Sequence, residues 1–233
     1  MLFGWFYYDW TVLLVIPVFI FSLWAQFRVS STFKKYSQAP TAARMTAANA
    51  AQRVLDAGGV SGVRIEQIRG ELTDHFDPKA KVIRLSDAVH NSYSAAAIGV
   101  AAHEAGHAIQ YSKGYFPMKL RAAVIPATKI GSMISIPLFF IGLIMASEYL
   151  MTAGIILYST RALFQLITLP VEFNASRRAL RSLEATGILR GDDLTAAKKV
   201  LSAAALTYVA ALATSLMTLL RLVLLASGGR RRR

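Results

Sequence analysis

The stretch Ala101-Ala-His103-Glu104-Ala-Gly-His107-Ala108 lies inside a run of small and apolar residues, with Ile98-Gly-Val100 before it and Ile109 after. Ser92 or Ser94 is placed to cap a helix from about Ala95 to Tyr111, and Gly114 to end it. On that helix His103 and His107 are four apart and share one face, a turn above each other. They can offer two imidazole nitrogens to one ion. Glu104 reaches the neighbouring part of the face. The competing reading is chance placement on a solvated face. Against it, the flanks predict a mostly buried helix, where such a trio needs a compensating partner. A metal ion supplies one.

This spacing is the HExxH arrangement of zincins. Zinc accepts His and carboxylate ligands at short distance and makes no geometric demand from d-electrons. It would lower the pKa of a bound water towards about 7 and polarise a scissile carbonyl, with Glu104 as general base. The chain has no cysteine, so disulfides, iron–sulfur clusters and Cys-based zinc sites are excluded. The four histidines are His75, His90, His103 and His107. No third His follows His107, so the third ligand of a catalytic zinc is sought elsewhere. Spacing favours Glu172, at the start of Pro170-Val-Glu-Phe-Asn-Ala-Ser-Arg-Arg-Ala179. Its rival reading is an ordinary acidic residue in the first turn of a helix.

The surroundings are those of a membrane protein. The hydrophobic fraction is 55% and the mean hydropathy +0.43. The first apolar run, Trp10 to Phe27, has no charge between Asp9 and Arg28 and reads as a retained anchor with Trp10 and Trp24 at the interfaces. Further runs go from about Val124 to Ala146, from Tyr149 to Leu169 (with Arg161 inside it and Pro170 ending it) and from about Ala203 to Ala226. The net charge of +13 gathers between these runs. That pattern fits an anionic membrane face and the loop bias that sets topology, and no nucleic-acid-binding motif is present. Residues 28–122 carry 13 Lys and Arg against 7 Asp and Glu, and residues 172–202 carry 6 against 4. The positive-inside rule therefore places both regions in the cytoplasm. Four full spans would put the polybasic tail, Arg230 to Arg233, outside against that rule, so the last crossing is left open.

Within the polar region, Thr41–Leu55 predicts an amphipathic helix stopped by Gly58 and Gly59. Val63–Ile68 alternates as a strand, Asp77-Pro78 marks a turn, and Lys81–Leu85 reads as a second strand pairing with the first.

Three stretches, Leu72-Thr-Asp-His-Phe-Asp-Pro78, Ser94 to Gln110, and Leu169 to Ala179, resemble the bacterial zinc-dependent membrane neutral protease family of the YugP type. The likeness covers nearly the whole chain. More distantly, the third stretch resembles the Glu-Phe-x-Ala-Asp segment of HtpX- and Ste24-like membrane proteases, where the Glu is the third zinc ligand and the Asp supports the site. Glu172 matches that ligand. Ser176 stands where the Asp would be; it can hydrogen-bond a His but adds no charge. The resemblance also implies that the strand at Lys81–Leu85 is an edge strand able to bind an extended peptide.

The reading is thus a mainly α membrane protein with about four transmembrane helices and a small α+β zincin-like, gluzincin-type catalytic unit. Its parts are an anchor (1–27), a catalytic region (28–122), a transmembrane hairpin (123–169), a helix with the third ligand (170–202) and a C-terminal hydrophobic segment with the basic tail (203–233). The expected function is peptide-bond hydrolysis by a zinc (Zn2+) metalloendopeptidase of the cytoplasmic membrane. Its partners are a membrane-associated peptide or protein substrate and the bilayer, and its site faces the cytoplasm. The rivals are a catalytically silent zinc-binding scaffold or chaperone and a zinc hydrolase of a non-peptide amide. His75, Asn174, Ser176 and Arg177 are the candidate supporting residues, with His75 better read as stabilising the turn before Pro78. His90 reads as a surface residue.

Overall fold

The computed structural model describes residues 9–230. Residues 1–8 of the expected anchor and 231–233 of the basic tail lie outside that range. The chain is mainly helical, with one three-stranded sheet. It divides into two compact units, one of residues 26–119 and 170–206, the other of the remaining segments up to 25, 120–169 and from 207.

The first unit carries the polar sequence. Helix α2 (Ala47–Ala57) buries Ala47, Ala50, Ala51, Val54 and Leu55, a stripe recurring every three and four residues. Thr46 caps it by accepting the Asn49 N–H at 3.2 Å. The expected helix began earlier, at Thr41. Residues 41–46 do not join it, because the chain there is drawn to residues 93 and 94: Pro40 bridges to Ser94 and Thr41 N–H donates to the Tyr93 carbonyl. Helix α3 (Asp87–His90) is a single turn, and α4 (Ala95–Ser112) follows with Ser94 as its cap, accepting the Ala97 N–H. Nearly every residue of α4 is buried, as expected of a helix apolar on most faces. Its core partners include Val54, Leu55, Ile83, Leu85, Leu183 and Leu189.

Strands β1 (Arg64–Ile68), β2 (His75–Asp77) and β3 (Val82–Ser86) form a sheet of order β1-β3-β2. β1 runs parallel to β3 and β2 antiparallel to it, with Phe76 opposite Ile83. The expected pairing of the two longer strands is present. The expectation that the second of them is an edge is not met: β3 is central, and the edges are β1 and β2. Val82, Ile83, Leu85 and Ser86 are all buried, which is how a strand covered on both faces reads. β2 has three residues, too few for alternation to register, and Pro78 directly after it resembles a turn signal.

The second unit is built from segments of long helices. Among the described residues four are long and apolar enough to cross a membrane: α1 (Val12–Tyr36), α5 (Phe116–Ile144), α6 (Glu148–Ala185) and α7 (Gly191–Arg230). They leave large apolar side chains such as Leu13, Phe27 and Met133 outward, as lipid contact requires. α5 and α6 approach closely at small residues: a Cβ on Gly131 would lie 2.7 Å from the Leu157 carbonyl oxygen. α1 and α7 are tied at two levels. Arg221 Nη2 donates to Asp9 Oδ2 at 2.6 Å, and the Ser22 and Thr214 hydroxyls meet at 3.1 Å. The two helices are therefore antiparallel, and Arg221 has its compensating charge. Arg161 is exposed.

Pro170 does not end the third run. α6 continues through it to Ala185, so residues 170–202 are shared between the end of α6 and the start of α7. Buried Val171, Ala175, Ala179 and Leu183 keep one packed stripe through this stretch. Proline is tolerated in long apolar helices where neighbours hold the backbone. Glu172 consequently sits far from the N-terminus of its helix, and the first-turn explanation for it falls.

Candidate metal centre

His103 and His107 project from α4, Glu172 from α6. Gly106, between the two histidines, lets the helices meet: a Cβ there would lie 2.7 Å from the Ala175 carbonyl oxygen and 3.3 Å from its Cα. No larger residue permits that approach without a shift of backbone. Glu172 Oε2 then lies 3.2 Å from His103 Nε2 and 3.3 Å from His107 Nε2. One ligand atom from each of the three residues falls within 4.8 Å of the others. Glu172 and His107 are buried, His103 nearly so.

The far side of each ring is held. His107 Nδ1 lies 3.0 Å from Gln110 Oε1. Gln110 is fully buried, and its Nε2 donates to the Val171 carbonyl at 2.8 Å and to Asn174 Oδ1 at 3.0 Å. Arg178 Nε donates to the same Asn174 oxygen at 2.7 Å. A carbonyl and a guanidinium thus set the sense of the whole chain. The Gln110 oxygen must face His107, and His107 Nδ1 must carry the hydrogen that it accepts. In the neutral ring Nε2 is then a bare lone pair turned on a carboxylate. Two acceptors about 3.3 Å apart need a positive charge between them. His103 is also held from behind, with Nδ1 3.0 Å from Ser176 Oγ, a hydroxyl that can donate or accept and so orients the ring without selecting its tautomer.

A proton can supply the charge at one ring. For His107, burial disfavours the charged form, but the Glu172 hydrogen bond and the charges of Glu104 and Glu172 outweigh it and raise the pKa. A divalent cation satisfies all three atoms at once. Two imidazole nitrogens and one carboxylate oxygen, each ring fixed from behind, match the three-ligand set of a catalytic zinc with an open position. The residues fit the ion.

Glu104 is buried and its Oε2 accepts the Phe76 N–H at 2.9 Å. That N–H points away from β3, so the outer edge of β2 faces Glu104. Just before β2, Asp74 accepts the Ser86 N–H at 2.7 Å and the Ser86 hydroxyl at 3.1 Å. Burial holds its carboxyl above the usual range, opposed by these bonds and aided by the charge of Glu104.

Of the expected supporting residues, Ser176 and Asn174 join the centre. Arg177 is exposed, and Arg178 takes the inward position, stacking also over the Tyr115 ring at 5.9 Å. Successive helical residues point about 100° apart, so one of an Arg pair faces in, and the packing of α6 selects the second. His75 is exposed, its Nδ1 2.8 Å from the Thr73 carbonyl oxygen, which is a turn contact. His90 faces Asn91. Sequence reasoning missed Gln110, Asp74 and the Phe76 amide, and it preferred Arg177 to Arg178. Gln110 had a signal, being three residues after His107 and so on its face.

The family model described as "Putative neutral zinc metallopeptidase" matches residues 11–227. A curated relative, "Putative membrane protease YugP" of Bacillus subtilis (strain 168), is 45% identical over 219 residues, 94% of this chain and 97% of the relative. No solved structure matches the chain. A match of this extent, joined to a helix that presents His103, Glu104 and His107, makes the chain a member of that neutral zinc metallopeptidase family.

Proposed function

We propose that the chain is a membrane-embedded zinc metalloendopeptidase in which His103, His107 and Glu172 hold the ion and Glu104 moves the proton. The observation that carries this is the convergence of two imidazole nitrogens, each ring held from behind, on one buried carboxylate oxygen. When bound, zinc supplies Lewis acidity, polarising a carbonyl oxygen and making a water more acidic. Glu104 takes the proton lost by the attacking water and delivers it to the departing amine nitrogen as the C–N bond breaks. The Phe76 amide orients the Glu104 carboxylate. An extended substrate pairs with the outer edge of β2, where the Phe76 carbonyl points the same way as its N–H. The charge bias of the polar segments supports a cytoplasmic site. The antiparallel pairing of α1 with α7 supports four crossings, with Asp9 and Arg221 at the same end of the pair.

The test is metal content by mass spectrometry for the wild type, His107→Ala and Glu172→Ala, with peptide cleavage assayed for Glu104→Gln. Loss of zinc in the first two and retained zinc without cleavage in the third are expected. Zinc bound as tightly without Glu172 removes it from the ligand set. Turnover of small amides alone replaces the peptidase with an amidase, and full cellular function of Glu104→Gln replaces it with a scaffold.

A further inference from the structure

β2 is a weak place from which to hold a catalytic base. It has three residues and one neighbour, β3. The segment leading to it includes Gly70 at φ 116° and Leu72 at φ 54°, the latter an unfavourable conformation for a side chain of that size. Leu72 is also exposed, so burial does not hold the segment. Yet the Phe76 N–H must stay within hydrogen-bonding distance of Glu104 on another element. A separate anchor is required.

Asp74 provides it. Both its oxygens grip one residue, Ser86 at the end of β3, through the backbone N–H and the hydroxyl. The side chain thereby adds a rung to the β2–β3 ladder where the backbone of residues 73 and 74 has already left the strand. Ser86 is fully buried and occupies the N-cap of α3, yet its hydroxyl makes no cap bond there. The group is committed to Asp74 instead. An anchor two residues before Phe76 fixes the amide on which Glu104 rests.

We propose that Asp74 is a positioning residue for Glu104, acting by clamping β2 to the end of β3 so that the Phe76 amide is held against the Glu104 carboxylate. The proposal rests on Glu104 being the proton carrier. It assigns a role to the Leu72–Pro78 motif that neither the ion nor the substrate edge explains. Asparagine at position 74 can make the same two contacts, its oxygen accepting the Ser86 N–H and its amide donating to the hydroxyl. Alanine can make neither.

The experiment uses the full chain in detergent micelles. Hydrogen exchange at the Phe76 amide is read by peptide fragmentation mass spectrometry, beside kcat, KM and zinc content. Glu104→Ala calibrates the exchange signal by removing the acceptor. Asp74→Ala is expected to lose Phe76 protection and to lower kcat about 100-fold, the cost of misplacing a catalytic group by about 1 Å, with KM and zinc content near wild type. Asp74→Asn is expected to restore most of both losses. Ser86→Ala, which keeps the backbone rung, is expected to fall between them, and it carries the test should Asp74→Ala fail to fold. Wild-type Phe76 protection in Asp74→Ala, or in Ser86→Ala where the former does not fold, overturns the proposal. Undiminished turnover in Glu104→Gln overturns the peptidase reading instead and leaves the exchange result standing by itself.

Discussion

Replacing Gln110 by Leu tests the claim that the centre is tuned from behind. The substitution is close in volume and removes three hydrogen bonds, to His107, Val171 and Asn174. At about 0.5–1.5 kcal/mol each, the fold loses about 1.5–4.5 kcal/mol, partly offset by the more apolar side chain in a fully buried position. Only the His107 bond bears on the metal. Without an acceptor for Nδ1–H the ring loses both its orientation and the tautomer that bares Nε2. Losses of this kind cost about 10–100-fold in metal affinity, or about 1.4–2.8 kcal/mol. The assay is competition for zinc between the detergent-solubilised protein and a chromophoric chelator, with thermal unfolding run in parallel. A variant that stays folded and binds zinc as tightly as the wild type refutes the tautomer argument. It would mean that Nε2 is aimed by packing alone.

Other substitutions probe other links. Gly106→Ala sets a methyl 2.7 Å from the Ala175 carbonyl oxygen, so α6 must retreat and take Glu172 with it. A loss of about 1–3 kcal/mol in stability is expected, together with weaker zinc binding by the same titration. Arg221→Ala leaves the half-buried Asp9 carboxylate with only its Thr11 hydrogen bonds, and a loss of about 1–3 kcal/mol in stability is expected in mixed micelles. The exchange Asp9→Arg with Arg221→Asp should recover part of it, and no recovery would detach the effect from the ion pair. Asp74 gives a pH signature. Its folded pKa is raised, so the native state carries a cost once the pH has risen through that value, and the cost vanishes below the unfolded pKa. Asp74→Asn should therefore melt higher than wild type at neutral pH, and the gap should close on acidification. A gap independent of pH would contradict this.

What the sequence disclosed follows the range of the interactions involved. The Ser94 cap, the Gly58-Gly59 stop and the shared face of His103 and His107 are written within a few residues, and the expectations drawn from them match the helices observed. β2 was illegible because three residues beside a proline have no period. The central place of β3 depends on that missing strand. Pro170 misled because its local cost is real, and only the buried stripe from Val171 to Leu183 shows the helix surviving it. The pairing of Asp9 with Arg221 joins residues 212 positions apart, beyond any window that a charge count scans. The choice of Arg178 over Arg177 was a matter of helical phase, fixed by which residues of α6 are packed.

Glu172 is separated from His103 by 69 positions, and between them lies the α5 helix and the first part of α6. On a ribosome adding about 5–20 residues per second, His103, Glu104 and His107 are made roughly 3 to 14 s before Glu172. During that interval the nascent chain has Glu104 but only two of the three clustered residues. The polypeptide order thus works as a built-in delay: the His103, His107 and Glu172 cluster cannot form before synthesis of the apolar hairpin, and a chain aborted before it carries only part of that cluster.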